Sequence, residues 1–246
     1  MLSKLEEDTY GFWAEFAHCP GGTRGEDGGA RWFRSGVPFV NYNGVVGVGC
    51  DIDTMLARVR AWGLPARWMA STTSANGFEA RVAERGLAIV DESPGMVARI
   101  EDLPRPQSDE LTVEVVRDER QRDEWDDVFR DAFGFSPEVA AHVRAAHAWP
   151  CLHEHSRTYL LMRREGVPVA TGLLHSTPGV AGVYGIGVRR AFRRRGLGAL
   201  ATLLTVREGA RRGASMAMLQ ATKDGFPVYA KLGFQTICSF KSWQIA

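Results

Sequence analysis

Lysine is scarce in this chain, occurring only at Lys4, Lys223, Lys231 and Lys241, so arginine carries nearly all the positive charge. Acidic residues balance it: 30 Lys and Arg against 29 Asp and Glu leave a formal net charge of +1. A surface built to lie along nucleic acid needs a marked excess of one sign, and that excess is missing. Cysteine is scarce too. Cys19, Cys50, Cys151 and Cys238 are far apart, form no CxxC pair and match no metal-ligand spacing. A disulfide scaffold and a zinc module are both excluded, and reduced thiols in a cytoplasmic protein fit best. No run of some twenty apolar residues occurs, and the opening "MLSKLEEDTY" turns acidic where a secretory leader would turn apolar, so neither a membrane span nor a leader is expected.

The 246 residues suffice for one large domain or two small ones. A boundary is expected in "EDLPRPQSDE", residues 101–110, which is polar, holds two prolines and lacks a hydrophobic period. It divides the chain into a first unit at 1–104, a linker at 105–110 and a second unit at 111–246. In the second unit "LTVEVV" alternates as a strand, and helices are expected at 118–133 and 137–148, the latter opened by Ser136-Pro137. "TYLLMRR", "VPVATGLLHS" and "VAGVYGIGV" then form an antiparallel meander, because the "EG" and "TPG" connections leave room only for hairpins. A helix at 198–212 presents Leu200, Leu203, Leu204 and Val206. A buried strand "SMAMLQAT", a short helix "PVYAKL" and a closing pair of strands, "QTICSF" and "SWQIA", complete the unit.

The first unit reads as a worn copy of the second. "ARWMASTTSANGFEARVAERGLAIVDESPGMVARI" lies over "ASMAMLQATKDGFPVYAKLGFQTICSFKSWQIA" as strand, Gly-Phe, short helix and paired strands, with Gly86 on Gly233. Upstream, "VVGVGCDIDTMLARVRAWG" matches the strand and helix around the loop of the second unit, but its connection is Cys50-Asp51-Ile52-Asp53.

That loop, "RRAFRRRGLGAL", concentrates arginine between a strand and a helix. Glycines let the backbone turn tightly so that N–H groups converge, a helix N-terminus adds further N–H groups and the positive end of its dipole, and arginine adds bidentate donors. A pyrophosphate fits such a socket. The competing reading is a solvated loop whose glycines serve only the turn. The lysine and hydroxyl of a P-loop are missing, and the Gly196-x-Gly198 order is not GxGxxG, so nucleoside triphosphates and dinucleotides are not expected.

Arg193-Arg194-Arg195-Gly196-Leu197-Gly198 after strand "GIGV", followed by a helix, "LQAT" and "YAKLGF", resembles the GNAT superfamily of acyl-CoA-dependent N-acetyltransferases. The likeness covers 111–246. More loosely, the whole chain resembles bacterial two-unit GNAT proteins with a degenerate first copy. The resemblance implies an α/β fold, a mixed, mostly antiparallel twisted sheet flanked by helices, repeated in tandem. It implies acetyl-CoA as co-substrate, with the coenzyme A pyrophosphate on Arg193, Arg194, Arg195, Gly196, Leu197, Gly198 and Ala199. The pantetheine arm would lie along Ile186, Gly187 and Val188 in the manner of an added strand, with Thr222 beside it.

Amine attack on a thioester needs a neutral nucleophile, a stabilised oxyanion and a proton for the departing thiolate. The resemblance nominates Tyr229 as the proton donor, against a packing role for the same ring, and the N–H of Val188 is a candidate for the oxyanion. Family members often use a carboxylate on the strand occupied here by "VAGVYGIGV", which has none; Tyr184 stands where it would be sought. His175 is the candidate general base, set against an ordinary polar role. Phe133 and Phe135 lie where acceptor-covering loops sit in the family, against a core-packing role for at least one of them, and Trp13, Trp32, Trp62 and Trp68 read mainly as core. His142 and His147 are five apart and His153 to His155 has no distant pair to join, so no metal is expected. Cys151 and Cys238 lie away from the loop, which favours direct attack in a ternary complex over an acyl-cysteine. The expected partner is a small-molecule or peptide amine, with no nucleic acid and no membrane; a homodimer is left open. A non-catalytic acyl-CoA-binding sensor is the alternative, which would keep the socket and have no use for Tyr229.

Overall fold

A computed structural model describes residues 1–73, 77–106, 110–153 and 156–245. Its strands form one eleven-stranded mixed sheet, mostly antiparallel, with helices on both faces. The first half contributes α1 (Leu2–Ala14), β1 (Thr23–Asp27), β2 (Ala30–Arg34), β3 (Asn43–Val46), α2 (Ile52–Arg60), β4 (Ala66–Ser71), α3 (Phe78–Ala83) and β5 (Ile89–Arg99). The second contributes β6 (Thr112–Val115), α4 (Glu119–Phe133), α5 (Pro137–His153), β7 (Arg157–Arg164), β8 (Val167–Thr177), β9 (Val180–Val188), α6 (Leu197–Arg211), β10 (Met216–Gln220), α7 (Phe226–Leu232) and β11 (Gln235–Ile245). Residues 107–109 of the expected linker and 154–155 of the His153 to His155 run lie outside the described residues.

Local chemistry explains the elements. The "EG" turn between β7 and β8 holds Glu165 at φ 52° and Gly166 at φ 81°, the left-handed pair that a tight hairpin requires. Asp118 caps α4 by accepting from the Gln121 N–H at 2.8 Å, and Gly134 ends it in the left-handed region. Along α1, Leu5, Asp8, Thr9 and Phe12 share the buried stripe, so one carboxylate goes into the core with the apolar residues.

The order of strands is β1-β2-β3-β4-β11-β5-β10-β9-β8-β7-β6. Each half holds one parallel pair, β3 with β4 and β9 with β10, each joined over three residue pairs. The terminal strands are exchanged: β5 of the first half pairs antiparallel with β10, β11 of the second pairs antiparallel with β4, and the two pair with each other. The closing segments expected as pairs of strands are therefore single long strands. No turn residue breaks "QTICSFKSWQIA", and β11 absorbs its irregularities as register shifts at Thr236/Cys238 and Ser242/Trp243 while hydrogen-bonded on both sides. The exchange runs the ladder without a break from one half into the other.

On one face α2 and α3 pack Trp68, Phe78 and Trp243 into a core, and α6 buries Leu197, Leu200 and Leu204 against β7 and β8. On the other, α1, α4 and α5 enclose a second core that includes Leu5, Phe12, Phe16, Trp125, Tyr159 and Tyr184. Each such side chain contributes about 1.5–3 kcal/mol when fully buried. Helix α1 of the first half thereby rests on β8, β9 and β10 of the second.

Candidate active site

Strands β9 and β10 pair at Val180↔Met216, Ala181↔Ala217 and Gly182↔Met218, and then part. Beyond the last pair β9 bulges: Tyr184 faces Leu173 and Gly187 faces Thr171, with Gly185 at φ 56° and its carbonyl accepting from Thr171 Oγ1 at 2.8 Å. The Arg189 N–H is bonded to the Val169 carbonyl of β8. The alternation of the strand then sends the backbone groups of Ile186 and Val188 the other way, into the opening where β10 has left. Gly187 is packed closely, for a Cβ there would meet Thr171 Oγ1 at 2.8 Å and Ala132 Cβ at 2.9 Å.

The chain leaves β9 through a short turn and enters α6. Arg194 and Gly196 are left-handed, with φ 61° and 78°, and Gly196 precedes the helix without a side-chain cap. The N–H groups of residues 194–199 find no backbone acceptor among the described residues. They converge with the helix dipole, and a Cβ on Gly196 would meet nothing within 4 Å. The arginines divide their work. Arg193 braces the turn, its Nε donating to the Val188 carbonyl at 3.2 Å and its Nη2 to the carbonyl of Ala132 on α4. Arg194 and Arg195 are exposed and make no side-chain hydrogen bond among the described residues. Leu197 is buried under the turn, and Gly198 and Ala199 form the first turn of α6. An anion with several oxygens fits this cradle.

Tyr229, on α7, packs in the cluster that includes Val183 and Leu219, with Ile186 at its edge, which puts it beside the opening of β9 and β10. Its hydroxyl has no hydrogen-bond partner among the described residues, and burial pushes its pKa up to about 12, so it stays protonated. Thr222 is used locally: its Oγ1 accepts from the Gly225 N–H at 3.1 Å and its carbonyl from the Phe226 N–H at 2.9 Å, fastening the start of α7.

His175 is 1 % exposed and held at both ring nitrogens, Nδ1 at 2.9 Å from Asp8 and Nε2 at 3.3 Å from Glu15. Burial alone would lower its pKa, but the two carboxylates outweigh it and raise it to about 9. Burial would likewise raise Glu15, yet His175 and Arg157 bring it down to about 2. Arg157 completes the cluster, with its Nε 3.1 Å from Glu15 and its guanidinium over Phe16 at 4.1 Å. The Tyr184 hydroxyl donates to Asp8 Oδ2 at 2.8 Å, and its ring stacks on Phe12 at 3.7 Å. The charges of Asp8, Glu15, His175 and Arg157 balance, as burial demands. Sequence reasoning missed Asp8, Glu15 and Arg157, although Asp8 between Leu5 and Phe12 on the helical stripe was a visible signal.

Phe133 is 40 % exposed beside Gly187, and it stacks on Phe135 with centroids 5.8 Å apart. His147 sits in the core, bonded to the hydroxyls of Tyr42 and Tyr159 at 3.1 and 2.8 Å; burial lowers its pKa to about 3. Among the described residues no cluster of His, Cys, Asp and Glu is arranged to hold a metal ion, and no helix is long and apolar enough to cross a membrane.

Residues 119–234, which carry the open strand pair, the uncapped turn and Tyr229, match the sequence model of the Acetyltransferase (GNAT) family. A GNAT acetyltransferase domain thus lies at residues 119–234. Solved structures extend the likeness of fold to the whole chain. A GCN5-related N-acetyltransferase from Kribbella flavida superposes with a TM-score of 0.76 at 21% identity, covering 98% of this chain and 94% of its own. A GCN5-related N-acetyltransferase from Sphaerobacter thermophilus gives 0.61 at 14% identity, with 87% and 79% covered. A tandem GNAT protein from the clavulanic acid biosynthesis pathway gives 0.61 at 12% identity, with 92% and 83% covered. No curated sequence matches the chain. Acyl transfer is thus the chemistry of the family whose model residues 119–234 match.

Proposed function

We propose that the GNAT half transfers an acetyl group from acetyl-CoA to a primary amine by direct attack, with both substrates bound. The observation that carries this reading is the parting of β9 and β10 beside an uncapped helix N-terminus with two exposed arginines that make no side-chain hydrogen bond among the described residues. An open strand edge for an amide-bearing arm and an anion socket lie on one path. Arg194, Arg195 and the N–H groups from Gly196 to Ala199 hold the pyrophosphate, with Arg193 and Leu197 fixing the turn. Ile186 and Val188 pair with the arm, and Gly187 keeps α4 close enough for Phe133 and Phe135 to wall the acceptor side. When bound, acetyl-CoA supplies an activated thioester.

The protein's share of the chemistry is placement and proton management. The Val188 N–H points at the developing oxyanion, and the Tyr229 hydroxyl, kept protonated by burial, gives its proton to the departing sulfur. His175 serves in this reading as a positioning residue and not as the base, because an imidazolium bonded at both nitrogens accepts no proton at neutral pH. It holds Asp8, which holds Tyr184 against the opening. The acceptor ammonium gives up its proton to water. The first half, 1–104, contributes α1 as the floor of the acceptor side. The test is release of coenzyme A from acetyl-CoA across a panel of amines of differing charge. Amine-dependent release is expected; tight acetyl-CoA binding with no transfer to any amine would replace this reading with the acyl-CoA sensor.

A further inference from the structure

Arg67 is a buried arginine with no counterion among the described residues. It stands in β4, a strand buried along its whole length, and is itself only 7 % exposed. Its Nε and Nη2 have no hydrogen-bond partner, and no carboxylate among the described residues lies within ion-pair distance. Burial lowers its pKa to about 10, so it remains charged at neutral pH; Asp91, exposed on β5, and Tyr42, whose hydroxyl is engaged by His147, act on it only through their fields. Nε and Nη2 form one edge of the guanidinium. Through the same edge Arg85 grips both oxygens of Asp53, at 2.6 and 2.7 Å. The plane is fixed because the guanidinium lies over the Trp13 ring, 4.1 Å from its centroid. Fixed, charged and buried, this edge matches a carboxylate.

Its place in the fold connects it to the acyl-transfer site. Trp13 Nε1 donates to Gln220 Oε1 at 3.1 Å, and Gln220 ends β10, where β9 has already parted. The Gln220 amide also reaches Met69 Sδ at 3.3 Å, on the same face of β4 as Arg67. Because β4 runs opposite to β10, the start of one and the end of the other lie at the same end of the sheet, under α1. Trp13 and Gln220 thus link the guanidinium to the end of β10 beside the opening.

We propose that Arg67 binds the carboxylate of the acceptor, so that the substrates are amines bearing a carboxylate, such as amino acids. The inference rests on the acyl-transfer reading for the amine, but the anion site is testable by itself. N-acetyl amino acids and the matching N-acetyl amino amides are titrated calorimetrically into protein saturated with coenzyme A, and the free amino acids and amides are compared as acceptors. At least one carboxylate should bind about 30-fold or more tightly than its amide, the difference between a desolvated charge-assisted pair and its neutral analogue. Arg67→Gln and the volume-preserving Arg67→Met should erase that difference while binding the amides as before, and Arg67→Lys should restore part of it. Melting temperatures establish that each variant is folded, and the wild-type comparison needs no variant. An absence of carboxylate preference across the wild-type panel overturns the proposal, as does a preference that survives Arg67→Gln. Phosphoethanolamine preferred over every amino acid overturns it in favour of a phosphate. Arg67-dependent carboxylate binding without any acetyl transfer upholds the anion site and removes the acyl-transfer reading. Transfer with no carboxylate preference does the reverse.

Discussion

The two strand-to-helix connections of this chain share a backbone plan and differ in charge. In the first half β3 runs through Gly47 to Asp51 into α2, and Asp51 caps that helix itself, its Oδ1 accepting the Thr54 N–H at 2.8 Å. Asp53 follows in the first turn, paired with Arg85, and the Gly47 carbonyl is taken by Trp68 Nε1 at 2.8 Å. In the second half the longer turn from Val188 to Gly196 leaves α6 uncapped, with arginine where the first half has aspartate. A helix N-terminus favours a negative partner; one half provides it internally and the other leaves its N–H groups uncapped. The geometry of a parallel strand pair is thus necessary for an anion site, and the local charge and turn length decide whether one exists. Relieved of that task, the first half lends α1, with Asp8 and Glu15, to the sheet of its neighbour.

The sharpest way to break the comparison is to give the second turn the charge of the first. Gly198 has no left-handed φ, and a Cβ there meets only Val188 Cγ2 at 4.0 Å, so Gly198→Asp should fold normally and stabilise the helix start slightly. Coenzyme A affinity should fall by about 100-fold or more, from lost donors and new repulsion. Gly196→Asp, at φ 78°, would mix this effect with backbone strain. Calorimetry decides, and unchanged affinity of a folded Gly198→Asp protein moves the socket elsewhere.

Next in size is the contact between the halves. The folded pKa of His175, about 9, lies above its unfolded value near 6.5, so its contribution is complete below pH 6.5 and is lost as pH rises through 9. Denaturant titrations at pH 6 and pH 10 should show wild type losing about 3 kcal/mol more than His175→Gln over that interval. Parallel losses in the two proteins would mean that the imidazole is neutral in the fold.

Tyr229→Phe should leave coenzyme A affinity nearly unchanged and lower turnover on the order of 100-fold, with the deficit growing at alkaline pH, where solvent supplies fewer protons. Steady-state kinetics across that range, with binding measured separately, check it; equal turnover leaves Tyr229 a packing residue. The smallest effect concerns the first half. Asp51→Ala with Asp53→Ala should lower the melting temperature by a few degrees through loss of the cap, and variant and wild type should each bind one coenzyme A per chain. A stoichiometry near two in either protein dissolves the distinction between the turns.

Much of this was legible from local pattern. Arg193 to Gly198 between a strand and an apolar helix, Tyr229 four residues before Gly233, and the "EG" and "TPG" hairpins are short-range signals, because turn conformation, capping and hydrophobic period depend on neighbours in sequence. The sequence by itself determined most elements of the second half, the glycine turn before α6 and the contrasting aspartates at Asp51 and Asp53. Only the tertiary structure decided the exchange of β5 and β11, since either strand could close either half and the choice rests on long-range pairing. It also decided what His175 is. A histidine in "LLHS" has a pKa near neutrality until Asp8 and Glu15, some 160 residues away in the chain, are folded against it and burial removes the water between them. Arg67 and Trp13 likewise become a site only through packing, because the electrostatics of a buried group belong to its spatial neighbours and not to its place in the sequence.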